Sequence, residues 1–252
     1  MHYQYKIIVK DLFSKQSSKY ALYRPTYPDE LFAFILSHVK ERITAWDVGT
    51  GNGQVAVKLS DFFETVYGTD ISENQIANAI KKDNIIYKIM NSEDTIFPEQ
   101  QFDLITIAQA IHWFDFNKFY SKVKVYLKPN RIIAAIGYDV IKIDPACDRI
   151  INRLYADILN NYWDSERKYI DAHYKTIPFP FKEITSPEFM QKAIWTFEQL
   201  TGYLNTWSAV QHFIEKNKQS PLELIISELQ RAWGASKKKE IYFPVFIRIG
   251  MI

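Results

Sequence analysis

The chain has 252 residues, 47% of them hydrophobic and 15% aromatic, enough apolar side chain for a sizeable core in one domain. A net charge of +2, with 24% charged residues, gives no positive case for nucleic acid, and the nearest basic run, Lys237-Lys238-Lys239, reads as a solvated loop. The single cysteine, Cys147, excludes an internal disulfide, and the five histidines lack Cys or carboxylate partners at metal-ligand spacing. With no long apolar run, these features predict a soluble cytoplasmic protein without a membrane segment or a metal.

Residues 1–42 precede the first predicted strand. Pro25 and Pro28 forbid a continuous helix there, and a helix is expected from Asp29 through Leu31, Phe34, Ile35 and Val39. Residues 43–48 form a short apolar run, as a buried parallel strand would. The run ends in Gly49-Thr50-Gly51-Asn52-Gly53, and Val55, Leu59 and Phe62 then fall on one helical face. Residues 65–68 read as a second strand, ending at Asp70. Strand, glycine turn, helix, strand and acid make a nucleotide-binding βαβ unit. The glycines let the backbone approach a ligand, and an acid at the end of the second strand is placed to accept from ribose hydroxyls. The spacing is G-x-G-x-G rather than the dinucleotide G-x-G-x-x-G. Asp47 just before it would repel a pyrophosphate and suits a cationic ligand.

After Ile71, Ser72 and Gln75 fit a capping box, starting a helix that carries Ile76, Ala79 and Ile80 inward. Gln75 then lies in the first turn, near an adenine if one is bound. Residues 84–90 are a third strand, ending in Asn91-Ser92-Glu93-Asp94, a polar turn in which Glu93 reads as solvent-facing. Residues 104–108 are a fourth strand. Gln109 to Trp113 then occupy the carboxyl edge, where ligands of open α/β sheets bind. His112 is the acid–base candidate, since an ordinary pKa of about 6.5 suits a base near neutral pH; the alternative is a packed histidine. Trp113 either stacks on a ligand or fills core.

Asp115 caps a helix with Phe116, Phe119, Tyr120, Val123 and Leu127 on one side, ended by Pro129-Asn130. Residues 131–137 are the fifth strand. Residues 138–205 are less regular. They hold an amphipathic helix on Ile150, Ile151, Leu154, Tyr155, Ile158 and Leu159, then an aromatic stretch over 162–181. A strand within 181–190 is broken by Pro187, and Thr196 with Gln199 starts a helix ending near Gly202. This section is read as a cap over a pocket. Ser208 starts a helix through Val210, Phe213 and Ile214. Ser220-Pro221 starts another, carrying Ile225, Ile226, Leu229 and Trp233 and stopped by Gly234. Residues 240–249 are the closing strand, with a bulge or one-sided pairing expected at Pro244.

Residues 43–70 resemble the first two motifs of class I S-adenosylmethionine (SAM) methyltransferases. The run FDLITIAQAIHWFD is similar to the fourth-strand motif of the methyltransferase type 11 group. FSKQSSKYALYRPTYPDELFAFI is similar to the N-terminal lid of the branch that includes trans-aconitate methyltransferase-like proteins. The resemblance covers nearly all of residues 13–137 in order. It implies a Rossmann-like α/β three-layer sandwich, with a seven-stranded, mostly parallel sheet and an antiparallel last strand between the fifth and sixth. It also implies SAM as cofactor, with contacts from Tyr20, Asp47, Gly49, Thr50, Gly51, Asp70, Ile71, Gln75, Asn91, Ser92, Glu93 and Gln109. Asn91 stands where the family often has an Asp for the adenine amino group, and its amide oxygen also accepts; Ser92 would offer its backbone N–H to the ring. Tyr20, Tyr23 and Arg24 would lie over cofactor or substrate, with Arg24 pairing a carboxylate of either; the alternative is that this segment packs on the sheet edge.

The expected organisation is one domain: a lid over 1–42, a SAM-binding core over 43–137, a cap over 138–205, and C-terminal helices with the closing strand over 206–252. The expected function is methyl transfer to a small molecule. A carboxylate acceptor would be positioned by Arg24 and Tyr23, whereas a hydroxyl, amine or carbon acid would use His112 as base. An RNA- or protein-modifying enzyme on the same fold and a SAM-binding protein without catalysis remain open. The glycine spacing and Asp47 argue against a nicotinamide-dependent oxidoreductase. No sequence feature sets the oligomeric state.

Overall fold

A computed structural model describes residues 26–252. Among these, eight strands form one sheet: β1 (Thr44–Val48), β2 (Thr65–Asp70), β3 (Ile85–Ile89), β4 (Phe102–Ala108), β5 (Leu127–Tyr138), β6 (Lys182–Ile184), β7 (Phe189–Trp195) and β8 (Lys239–Met251). The order is β3-β2-β1-β4-β5-β8-β6, with β7 also on β8. β1 to β5 pair in parallel, and β8 runs antiparallel to β5, β6 and β7. The closing strand therefore lies inside the sheet, as expected. The position beyond it is shared by two strands, because Pro187 interrupts the run between β6 and β7.

The alternation of a strand sends neighbouring side chains to opposite faces. Ala45, Leu104, Ile132 and Ala134 face a core that includes α1 (Asp29–Ser37), α2 (Gln54–Leu59) and α5 (Pro145–Asn152), with α7 (Phe197–Asn205), α8 (Ser208–Asn217) and α9 (Ile226–Trp233). Trp46, Val48, Ile105, Ile107 and Ile133 face a second core closed by α4 (Phe116–Tyr126) and α6 (Arg167–Asp171). A helix-covered, mostly parallel sheet of this order is the three-layer α/β arrangement the sequence implied.

Several local expectations are corrected. α2 ends at Leu59, so Phe62 lies beyond it and is exposed, while Phe63 is buried. The helix after Ser72, α3 (Glu73–Ala77), is short, and Ile80 is exposed rather than turned inward. α4 passes straight into β5 at Leu127. Pro129 and Asn130 lie in that strand at a register shift, where Asn130 takes a positive φ of 58°. The helix at Ile150 changes pitch, from α over α5 to π over Arg153–Ile158. α7 continues past Gly202 to Asn205, whereas α8 starts at Ser208 as expected. At Pro244 the strand has a neighbour on each side. Met190 of β7 lies opposite it. Toward β5, Asp139 N–H donates to Pro244 O at 2.9 Å, the reciprocal donor does not exist, and β5 stops at Tyr138.

Candidate functional site

β1 and β4 are neighbours, yet the chain leaves β1 toward β2 and reaches β5 from β4. The carboxyl ends of these strands therefore flank a crevice at the point where the strand order reverses. The glycine turn opens there. Gly49, Gly51 and Gly53 have φ of 65°, 55° and 86°, a region costly for residues with a Cβ. Their reasons differ. A Cβ on Gly49 would meet Ala110 Cβ at 2.5 Å, and one on Gly53 would meet the Tyr87 hydroxyl at 2.1 Å. A Cβ on Gly51 would have only Gln75 Oε1 within 4.0 Å among the described residues, so no other described residue fills that space.

Asp70 pins this turn. Its Oδ2 accepts from Gly51 N–H at 2.8 Å and its Oδ1 from Ser72 N–H at 2.9 Å. Ser72 caps α3 by accepting from Gln75 N–H, and Gln75 is buried with Oε1 lacking a hydrogen-bond partner among the described residues. The side chain sits against Gly51. Asp47 is buried beneath the turn, where Thr50 and Thr106 hydroxyls donate to its two oxygens at 2.6 and 2.8 Å. Burial pushes its pKa up to about 6, against the lowering effect of those hydrogen bonds. At neutral pH it is mostly a buried anion, which a cationic group nearby would stabilise. An orphaned acceptor, an open glycine cradle and a buried negative charge fit a nucleoside ligand carrying a positive centre.

Around the adjoining loop, Ile71 is 46% exposed. Ser92 is buried, and its backbone N–H has no partner among the described residues. Asn91 is half-buried, with Oδ1 accepting from Glu93 N–H at 3.4 Å and Nδ2 donating to Asp94 at 3.1 Å. Glu93 is not solvent-facing: Ser92 Oγ and Asp115 N–H donate to its two oxygens at 2.9 and 2.8 Å, so it ties the loop to the start of α4. Tyr20, Tyr23 and Arg24 lie outside the described residues.

A cleft adjoins the crevice, lined by Gln109, His112, Trp113, Tyr138, Arg167 and Trp207 among others. Gln109 takes a positive φ of 53° and donates from Nε2 to Tyr138 O at 3.1 Å. His112 is only 6% exposed, and its Nδ1 lies 3.2 Å from the Tyr174 hydroxyl. Burial first, then the charge of Arg167, pushes its pKa down to about 3. The ordinary pKa expected of it does not hold; the ring is neutral and a weak base at physiological pH. Sequence reasoning missed Arg167 and Tyr174. The only signal was a single arginine between Trp163 and Tyr169, in a stretch read as simply aromatic.

The family described as "Methyltransferase domain" matches residues 46–135, from β1 into β5. A Dictyostelium discoideum protein named as a methyltransferase is 36% identical over 245 residues, covering 94% of this chain and 93% of its own. This chain belongs to the class I SAM-dependent methyltransferases. The methyltransferase also superposes on a solved type II methyltransferase from Anaeromyxobacter dehalogenans with a TM-score of 0.85. The two are 34% identical, with 90% of this chain and 97% of that one covered. CRG1 of Saccharomyces cerevisiae, whose name describes a SAM-dependent methyltransferase, is 23% identical over 85% of this chain and 87% of its own. SAM is the cofactor of this methyltransferase. No helix among the described residues is long and apolar enough to cross a membrane.

Proposed function

We propose that the enzyme methylates a small-molecule carboxylate, in line with the trans-aconitate methyltransferase-like branch its sequence resembles. The observation that carries this reading is the state of His112. A buried imidazole with a pKa near 3 is a poor base for a hydroxyl, an amine or a carbon acid. A carboxylate is already ionised and needs none.

In this reading Asp70 accepts from the ribose hydroxyls, Gln75 Oε1 and the Gly51 cradle hold the adjoining part of the cofactor, and Asn91 with Ser92 N–H meets the adenine. Asp47 offsets positive charge from below. When bound, SAM would supply an electrophilic sulfonium methyl, and an acceptor carboxylate, already ionised, would take it with no proton to release. The chain's own work is orientation and exclusion of water, for which the cleft beside Gln109 and His112 is suited.

The test is a screen with methyl-labelled SAM over matched carboxylic acids, phenols, amines and RNA. The expected product is a methyl ester, with a rate flat between about pH 6 and 9 because no group in the cleft must lose a proton. Label carried to a phenol, an amine or RNA, or a rate rising with pH through one ionisation, overturns the reading.

A further inference from the structure

The cleft contains a cation whose hydrogen-bonding fork no described residue uses. Arg167 opens α6 with its guanidinium carbon 4.7 Å from the Trp163 ring centroid and 5.1 Å from that of Tyr155. Nε donates to the Tyr155 hydroxyl at 2.8 Å and to Asp171 at 3.2 Å. The two terminal nitrogens make no hydrogen bond with any described residue, and the side chain lines the cleft beside His112. A guanidinium stacked on aromatic faces and fixed at Nε is pre-organised, and its outer edge matches a planar carboxylate.

His112 adds a second donor. Its Nδ1 faces the Tyr174 hydroxyl, and both residues are buried. Burial holds the Tyr174 phenol far above its ordinary pKa, so it keeps its proton. The imidazole is the one hydrogen-bond partner of that hydroxyl among the described residues, so the phenol donates to Nδ1 and the neutral ring carries its own proton on Nε2. Nε2 has no partner among the described residues. Tyr174 holds this position with a φ of 59°, next to His173 at 49°, two consecutive left-handed residues without a glycine.

We propose that the Arg167 fork and the His112 Nε2–H form an anion-recognition site that binds the carboxylate of the acceptor. The inference rests on the reading of a small-molecule acceptor and assigns the group that recognises it. Two carboxylates also line the cleft. Asp139 is engaged by His173 at 3.2 Å and by Val140 N–H at 2.7 Å. Asp164 has a buried Oδ2 without a hydrogen bond among the described residues, with His212 Nδ1 4.0 Å away. An amine held by Asp164 is thus the competing occupant.

The test uses full-length protein saturated with S-adenosylhomocysteine and reads the fluorescence of the cleft tryptophans. The probes are acetate, butyrate, octanoate and phenylacetate, each against its primary amide, with octylamine as the cationic arm. At least one acid should bind tenfold or more tightly than its amide. Arg167→Gln should bring the acid down to the amide, Arg167→Lys should fall between, and Tyr174→Phe should weaken the acid several-fold while sparing the amide. The ¹⁵N spectrum of His112 should show the Nε2–H tautomer. No acid–amide gap in wild type, a gap that survives Arg167→Gln, or octylamine favoured and lost in Asp164→Asn would each overturn the site. Should Arg167→Gln fail to fold, the wild-type gap and Tyr174→Phe still decide. An acid that binds with the gap but is never methylated keeps the site and sinks the carboxyl-methylation reading; carboxyl methylation at wild-type KM by Arg167→Gln does the reverse.

Discussion

At the scale of single residues, Asp70 and His112 show two ways in which position sets chemistry. Asp70 uses one lone pair on each oxygen to hold backbone N–H groups of the glycine turn and of the α3 cap. In the proposed reading the same carboxylate also accepts from ribose hydroxyls. A carboxylate accepting such bonds contributes roughly 1.5–3 kcal/mol each at most, so Asp70→Ala should weaken SAM binding about tenfold or more. Calorimetry on the folded variant checks this, and unchanged affinity would remove Asp70 from the site. The place of Asp70 at the end of β2 was legible in sequence, and its proposed role depends on that place. The proton affinity of His112 was not legible, because burial by residues far away in the chain, Tyr174 among them at 62 positions, sets it.

At the scale of elements, the entry to β4 is held by a buried ion cluster. Asp103 is fully buried; its Oδ2 accepts from Ile43 and Thr44 N–H at 3.1 Å each, and its Oδ1 from Lys128 at 2.8 Å and Arg131 at 3.2 Å. Burial alone would raise its pKa, but Lys128, Thr44 N–H and Arg131 outweigh it and hold the carboxyl below the usual range. The cluster joins β1, β4 and β5 at the end opposite the glycine turn. Removing one partner of a buried ion pair costs about 3–5 kcal/mol, and since two of the partners here keep some exposure, Asp103→Ala should cost about 3 kcal/mol at pH 7 in urea denaturation. A depressed carboxylate pKa stabilises above the unfolded value, near 4, and that stabilisation is lost as pH falls through the folded value. The gap between wild type and variant should therefore shrink on acidification below about pH 4; a gap independent of pH would contradict the ion-pair account. The sequence contains Asp103 in plain view, but its partners come from three separate segments.

At the scale of the whole molecule, two cores on opposite faces share one sheet, and the crevice proposed for the cofactor lies at the carboxyl end of strands that serve both. A ligand bound there stabilises the native state by about 2.7 kcal/mol at a hundred times its Kd. For a chain of this size each kcal/mol raises Tm by about 2–4 °C. Saturating S-adenosylhomocysteine should thus move the calorimetric transition up by about 5–10 °C. If residues 1–252 form one domain, as proposed, the transition moves as a single peak; a second, unmoved peak would separate the cap or the C-terminal helices from the core.

The sequence by itself determined what depends on neighbours along the chain: the glycine turn after β1, the acid at the end of β2, the caps at Ser72, Asp115 and Thr196, and the alternation that buries β1 and β4. Such features follow from backbone dihedrals, short-range hydrogen bonds and periodicity, all written locally. The tertiary structure alone decided what depends on burial and long-range approach. It split the strand position beyond β8 in two and turned Glu93 from solvent into a tie between loop and helix. It also laid Arg167 on two aromatic rings beside the cleft and surrounded His112 until its charged form became unfavourable. Desolvation and the placement of charges are sums over side chains brought together by folding, and no local stretch of sequence contains that sum.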